Sequence, residues 1–152
     1  MGDRTWAKLY VPTELTGAVQ AIFNEASNEE EIGDGLSELS YDEMNYGNLP
    51  DGVQDKLTAA GVPFDWEWGD GGDYGGGQLH IRFTETGELH LREVYNVNQN
   101  PNLEALLDRI DQPDELVQFI KDHANKVTTL SWYNQVEYGK RYRMRQLVLP
   151  TK

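Results

Sequence analysis

A glycine-rich segment constrains this chain more than any other feature. Residues 69–77 contain six glycines in nine positions. Glycine loses more conformational freedom on ordering than any other residue, so this segment cannot hold a helix or an interior strand. We therefore expect a loop there. The residues just before it alternate, with Phe64, Trp66 and Trp68 on one face and two carboxylates on the other, which predicts a strand.

Alternation of apolar and polar residues predicts the remaining strands. They fall at 5–11, 36–46, 78–84, 89–97, 127–138 and 140–149, of which 36–46 is expected to be extended although it is poorly patterned. Thr86 and Gly87 join the third and fourth of these as a turn, which is typical of a β-hairpin. The charged segment 27–35, by contrast, is predicted to be a loop.

Four helices are predicted from apolar residues at helical spacing next to capping signals. They begin near Thr13, Leu49, Asn100 and Pro113. The resulting order is β-α-β-α-β-β-β-α-α-β-β. Because it mixes hairpins with crossovers, this order predicts an α+β fold with helices packed on a mainly antiparallel sheet. The first β-α-β unit could still pair in parallel.

Length and composition predict a single domain over residues 1–152. A chain of this size buries about 68 to 70% of its unfolded surface, and the 4 Trp and 8 Tyr supply core material. With no cysteine there is no disulfide or thiolate metal ligand, which favours a reducing compartment. The sequence shows neither a signal-peptide layout nor an apolar run near the ~20 residues that span a bilayer. We expect a cytoplasmic protein without membrane association.

The formal net charge of -13 is concentrated in the first half of the chain. Residues 1–75 hold 16 acids and 3 bases, whereas residues 76–152 hold 10 of each. A negative field repels nucleic acid and attracts basic surfaces. Direct nucleic-acid binding is therefore not expected, and a basic protein is the expected partner.

The leading hypothesis is that the carboxylates form a surface that imitates the phosphates of a nucleic acid. Such a surface would inhibit or modulate a nucleic-acid-handling protein by occupying its basic groove. In charge alone the chain is similar to DNA-mimic inhibitors such as antirestriction proteins, which suggests a phage- or plasmid-encoded anti-defence role. A merely solvated acidic face is the competing interpretation. The candidate residues are Glu29, Glu30, Glu31, Asp34, Glu38, Asp42, Glu43, Asp51, Asp55, Asp65, Glu67, Asp70 and Asp73.

The alternative hypothesis is a small-ligand or enzyme site beneath the glycine-rich loop, built from Trp66, Trp68 and Tyr74 with the neighbouring acids. Alternating aromatics on a strand also form ordinary core. The acid spacing does not match a calcium-binding EF-hand loop, and the loop lacks the lysine of a phosphate-binding P-loop. We therefore expect no metal and no cofactor.

Catalysis has little support in the sequence, because no known catalytic motif occurs in it. His80 and His90 lie on adjacent predicted strands, but Arg82 and Arg92 beside them disfavour a metal. The basic segment 140–145 could pair with the acidic first half of its own chain, and a third alternative is a self-associating subunit in which it pairs with the acidic half of a second copy.

Overall fold

One antiparallel sheet organises the chain. The computed structural model describes residues 4–71, 75–95 and 102–148. The strands are β1 Arg4–Pro12, β2 Asn28–Gly33, β3 Leu36–Asn45, β4 Phe64–Trp68, β5 Gly77–Phe83 and β6 Leu89–Tyr95. The helices are α1 Thr16–Ile22, α2 Val53–Ala59, α3 Leu103–Leu107, α4 Pro113–Val127 and α5 Gln135–Val148. A 3-10 turn at Thr13–Leu15 precedes α1.

The strand order β2-β3-β1-β4-β5-β6 confirms the predicted α+β class with an antiparallel sheet. Every strand pair is antiparallel, including β1 with β3 around the first helix. Within the described residues, no helix is long and apolar enough to cross a membrane.

Two predicted elements were wrong. The segment 127–149, predicted as two strands, contains helix α5, because Tyr138, Gly139 and Tyr142 lie at helical spacing and pack inward. The alternation of its arginines imitates a strand pattern by coincidence. The segment 27–35, predicted as a loop, contains β2, an edge strand exposed on both faces. An edge strand of this kind buries neither face, so it leaves no apolar alternation in the sequence.

The core lies between one face of the sheet and helices α1 and α2. Alternate residues of the central strands point into it, and several of them are fully buried. Val19 from α1 and Leu57 from α2 close it from the other side, each with no exposed surface. Phe23 stacks on Tyr41 at 4.7 Å, and Trp66 tilts against Tyr41 at 5.3 Å. The apolar strand residues with no exposed surface are Ala7, Leu9, Val11, Leu39, Phe64, Ile81 and Phe83.

Helix α5 docks at the end of β5, where β4 provides no partner. Strand β4 starts at Phe64, which pairs with Ile81, so the backbone of Phe83 would be left unpaired on that side. The side-chain amide of Gln135 replaces the missing strand: its Nε2 donates to the Phe83 oxygen and its Oε1 accepts from the Phe83 nitrogen, both at 2.8 Å. Gly139 then meets Gly61 so closely that a Cβ on either would collide with the other's carbonyl oxygen.

Candidate functional site

Strand β2 carries the most exposed group of predicted site residues. We call Glu29, Glu30 and Glu31 the acidic edge. All six residues of β2 are exposed, although the strand pairs with β3 along its length. Gln20 of α1 donates to Glu29 Oε2 at 3.0 Å. Among the described residues, none of the three carboxylates lies within 4 Å of a cationic group.

Asp34 adds a fourth exposed carboxylate at the tip of the β2-β3 hairpin. It adopts φ 54 between Gly33 and Gly35, which also have positive φ. Aspartate tolerates this left-handed conformation better than most residues. The Gly35 carbonyl accepts from the Thr13 backbone nitrogen at 2.8 Å, which ties the tip to the rest of the domain. The hairpin therefore presents its acids on a fixed support.

Glu38 and Glu67 lie on the sheet face opposite the core, where Lys8 stands between them. Lys8 Nζ pairs with Glu38 Oε1 at 2.7 Å and is directly opposite Glu67 in the β1-β4 register. Burial raises the pKa of Glu67, Lys8 lowers it, and Glu38 adds to the increase. Burial also raises the pKa of the neighbouring Tyr10 hydroxyl. Lys8 thus partly neutralises the negative charges of Glu38 and Glu67.

Asp65 is engaged in the best-formed polar cluster of the structure. Its Oδ1 accepts a hydrogen bond from Arg82 Nη1 at 2.7 Å, and its Oδ2 accepts one from Arg82 Nη2 at 3.1 Å. His80 Nδ1 also lies 2.6 Å from Oδ1. The Arg82 side chain is only 2% exposed, stacks 3.6 Å from the Trp132 ring centroid and donates to the Leu130 oxygen. This carboxylate is paired within the sheet, and 18% of its side-chain surface remains exposed.

The pKa of Asp65 follows from that environment. Burial alone would raise it, but the hydrogen bonds from His80 and Arg82 and the positive charge of Arg82 outweigh burial and lower it below the ordinary value. His80 and Arg82 lie on the sheet face opposite Leu79 and Ile81, and both are buried there, Arg82 against the ring of Trp132.

The other predicted acids lie apart from the acidic edge. Asp42 and Glu43 are exposed at the far end of β3, where Glu43 pairs with Arg4 at 3.5 Å. Asp70 follows β4 and accepts a hydrogen bond from the Gly76 backbone nitrogen. Asp73 and Tyr74 lie outside the described residues.

Trp66 and Trp68 are structural members of the core that also border a groove. Trp66 is 2% exposed and donates to the Gly47 oxygen at 2.7 Å, while Trp68 is 8% exposed and donates to the Gly75 oxygen at 3.1 Å. Beside them, the loop before α2 and strands β5 and β6 enclose about 420 Å³. The groove is also lined by Leu49, Pro50, Asp51, Asp55, Leu79, Leu91 and Glu93.

The sequence singled out the two tryptophans of this groove but none of its other walls. Its tryptophans stand out by composition, but Leu91 and Glu93 reach it only because β6 pairs with β5 in one register. Asp51 and Asp55 belong to its rim and not to the acidic edge. No local pattern marks such a convergence from three separate segments.

The two histidines on the β5-β6 hairpin do not face one another. The register places His80 opposite Arg92 and His90 opposite Arg82. Each histidine therefore lies across from a permanent cation, which disfavours metal binding. Over the described ranges, no group of three or more His, Cys, Asp or Glu side chains is arranged to hold a metal ion.

The basic segment near the C-terminus lies on α5, and its observed contacts are with the second half of the chain. Arg141 Nη1 donates to the backbone carbonyl oxygen of Glu85 at 2.7 Å, and Arg145 Nη1 donates to that of Thr86 at 3.1 Å. Arg145 also lies 3.7 Å from Glu88. The pairing with the acidic first half that the sequence suggested is not found among these contacts.

Comparisons with protein-family models, with curated proteins and with solved structures each gave no match.

Proposed function

We propose that this protein is an acidic inhibitor or modulator that binds the basic surface of a nucleic-acid-handling protein, in the manner of a DNA mimic. One observation carries the proposal: three consecutive carboxylates occupy a fully exposed edge strand and lack a cationic neighbour among the described residues. Like charges this close repel one another and destabilise the fold, and a basic partner would relieve the repulsion.

The spacing of the acidic edge supports imitation of phosphates. An antiparallel strand rises about 3.4 Å per residue, which equals the advance along the helix axis between successive phosphates on one strand of duplex DNA, so carboxylates on one face of the strand repeat at about twice that advance. Glu29 and Glu31 point to one face of the ribbon and Glu30 to the other. A narrow acidic ribbon of this kind suits a basic groove that accommodates a phosphate backbone.

Charged residues on an edge strand have a second use, since they discourage edge-to-edge aggregation. The two roles make different predictions. If protection of the edge were their only role, neutral side chains at Glu29, Glu30 and Glu31 would promote aggregation but leave partner binding unchanged. If they bind a basic groove, the same changes abolish binding by a monodisperse protein.

The direct test captures partners from nuclease-treated host lysate on the tagged protein at low salt. Bound material is eluted in parallel with duplex DNA and with a monovalent salt buffer of equal ionic strength. We expect the DNA to release a basic nucleic-acid-binding protein that the buffer leaves bound, because the DNA and the acidic edge compete for one groove.

Two variants with the same net charge locate the binding surface. The triple variant Glu29→Gln, Glu30→Gln, Glu31→Gln removes the acidic edge, whereas Glu14→Gln, Glu85→Gln, Glu88→Gln removes three exposed carboxylates elsewhere. Capture should fail only with the first variant. Equal capture by both would contradict a role for the acidic edge.

The groove beside Trp66 and Trp68 supports a second candidate function, binding of an organic cation with an apolar body. Leu79 and Leu91 supply apolar wall, and the carboxylates of Asp55 and Glu93 supply negative charge at the rim. Titration with hexylammonium should change tryptophan fluorescence saturably. The response should weaken in Asp55→Asn, Glu93→Gln and persist in Glu14→Gln, Glu85→Gln; a linear, unsaturable response would contradict this function.

A further inference from the structure

Helix α5 has one face docked on the domain and an opposite face in solvent. Gln135, Gly139 and Tyr142 form the docked face, where the Tyr142 ring lies 4.9 Å from that of Phe83. At 100° per residue, the opposite face consists of Glu137, Lys140, Met144, Leu147 and Val148, with Arg143 at its edge. Its apolar members are 60%, 73% and 76% exposed, so the described residues leave them largely uncovered. We call these six residues the outer face of α5.

The outer face is also positively charged. Residues 135–148 contain four bases and one acid. Arg141 and Arg145 are tied to the β5-β6 turn by the hydrogen bonds described above. Lys140 and Arg143 form no ion pair with a described residue and are left to face solvent beside Met144. An exposed apolar stripe flanked by free cations is typical of a docking helix.

Helices α3 and α4 present the complementary surface. Residues 102–125 contain six acids and two bases, one of which, Arg109, stacks on Phe119 at 4.4 Å and donates to the Ala105 oxygen. Large apolar side chains on this segment are also left in solvent. They are Leu103 at 69%, Leu107 at 54%, Ile110 at 59%, Val117 at 49% and Ile120 at 49% exposed. We call this segment the acidic helical face.

We propose that two copies of this chain associate, with the outer face of α5 of each copy packed on the acidic helical face of the other. The occupant is a second copy because one chain carries both halves of the match: exposed apolar side chains on a helix of net positive charge, and exposed apolar side chains on a helical segment of net negative charge. Reciprocal contact about a two-fold axis makes both contacts twice and closes the assembly. The acidic edge of β2 is at the sheet edge opposite β6, so this inference does not depend on the proposed function.

The test is sedimentation equilibrium of the full chain over a range of concentrations. The wild-type protein should form a dimer. Leu147→Glu on one face, or Ile120→Glu on the other, should each weaken dimerisation about tenfold or more, because each places a charge among packed apolar side chains. Tyr133→Glu is the matched control, since Tyr133 is 74% exposed and lies on neither face. It should leave the dimer intact.

Charge reversal identifies which faces meet. The variant Lys140→Glu, Arg143→Glu should be monomeric, as should Asp114→Lys, Glu115→Lys, and mixing the two should restore a mixed dimer. Circular dichroism checks that each variant is folded. A wild-type monomer at all concentrations, a dimer that survives both Leu147→Glu and Ile120→Glu, or binding of a DNA duplex through Arg143 by the monomer would overturn the proposal.

Discussion

Two sets of carboxylates within one sheet have opposite environments. Asp65, on the central strand β4, is held by a buried arginine and a histidine. Glu29, Glu30 and Glu31, on the edge strand β2, are exposed and have no cationic neighbour among the described residues. Carboxylates thus stabilise the interior of the sheet at one position and give its edge a negative charge at another. The cations that surround a carboxylate determine which role it has.

The largest expected effect is the loss of the buried pair. Asp65→Asn should lower the free energy of unfolding by about 3 kcal/mol, because it leaves the charge of Arg82 buried without its carboxylate. Urea denaturation at neutral pH measures the difference.

The control for this prediction is Glu30→Gln, which removes a carboxylate from the other set. Its effect should be within about 0.5 kcal/mol, as for most exposed substitutions. If both variants lost a similar amount of free energy of unfolding, the two sets of carboxylates would not differ in their contribution to stability.

Lowering the pH should remove the stabilisation that the ionised carboxylate of Asp65 provides. Because the folded-state pKa of Asp65 is lowered, its stabilisation is present above the unfolded pKa, near 3.9, and is lost as the pH falls through the folded value. The stability difference between wild type and Asp65→Asn should therefore shrink below about pH 4. Denaturant unfolding at a series of acidic pH values measures it. A difference that stays constant to lower pH would show that the ionised carboxylate is not what stabilises the pair.

Glu67 is less buried than Asp65 and less exposed than the acidic edge. We expect its substitution to change the free energy of unfolding less than that of Asp65, and in the opposite direction. Burial raises its pKa, so its favourable contribution is complete below the unfolded pKa and is lost as the pH rises through the folded value. At pH 7 the ionised side chain opposes folding. Glu67→Gln should raise the free energy of unfolding by about 0.5 kcal/mol at pH 7, a small value because solvent screens this half-buried group. Thermal melts at pH 4 and pH 7 should show the gain at the higher pH only.

The sequence predicted the parts of the fold that bury one face of a strand. Phe64, Trp66 and Trp68 alternate because one side of β4 faces the core, and that strand was placed correctly. Strand β2 was missed because an edge exposed on both sides has no burial pattern. Helix α5 was missed because its arginines alternate by coincidence while Tyr138 and Tyr142 carry the true period.

The candidate site was less predictable for a similar reason. Charge counting selects Asp65 and Glu29 equally, since the sequence does not reveal which carboxylate will meet Arg82 across β4 and β5. Pairing between strands is set by tertiary register, which local spacing does not encode. The groove bordered by Trp66 and Glu93 depends on the same register.

The most direct test of the central claim measures folding and binding together in the triple variant Glu29→Gln, Glu30→Gln, Glu31→Gln. We predict that its free energy of unfolding stays within about 0.5 kcal/mol of wild type, while it no longer displaces duplex DNA from the captured basic partner. Wild type and the charge-matched variant Glu14→Gln, Glu85→Gln, Glu88→Gln should both still displace it. Displacement by the triple variant with unchanged affinity would contradict the account.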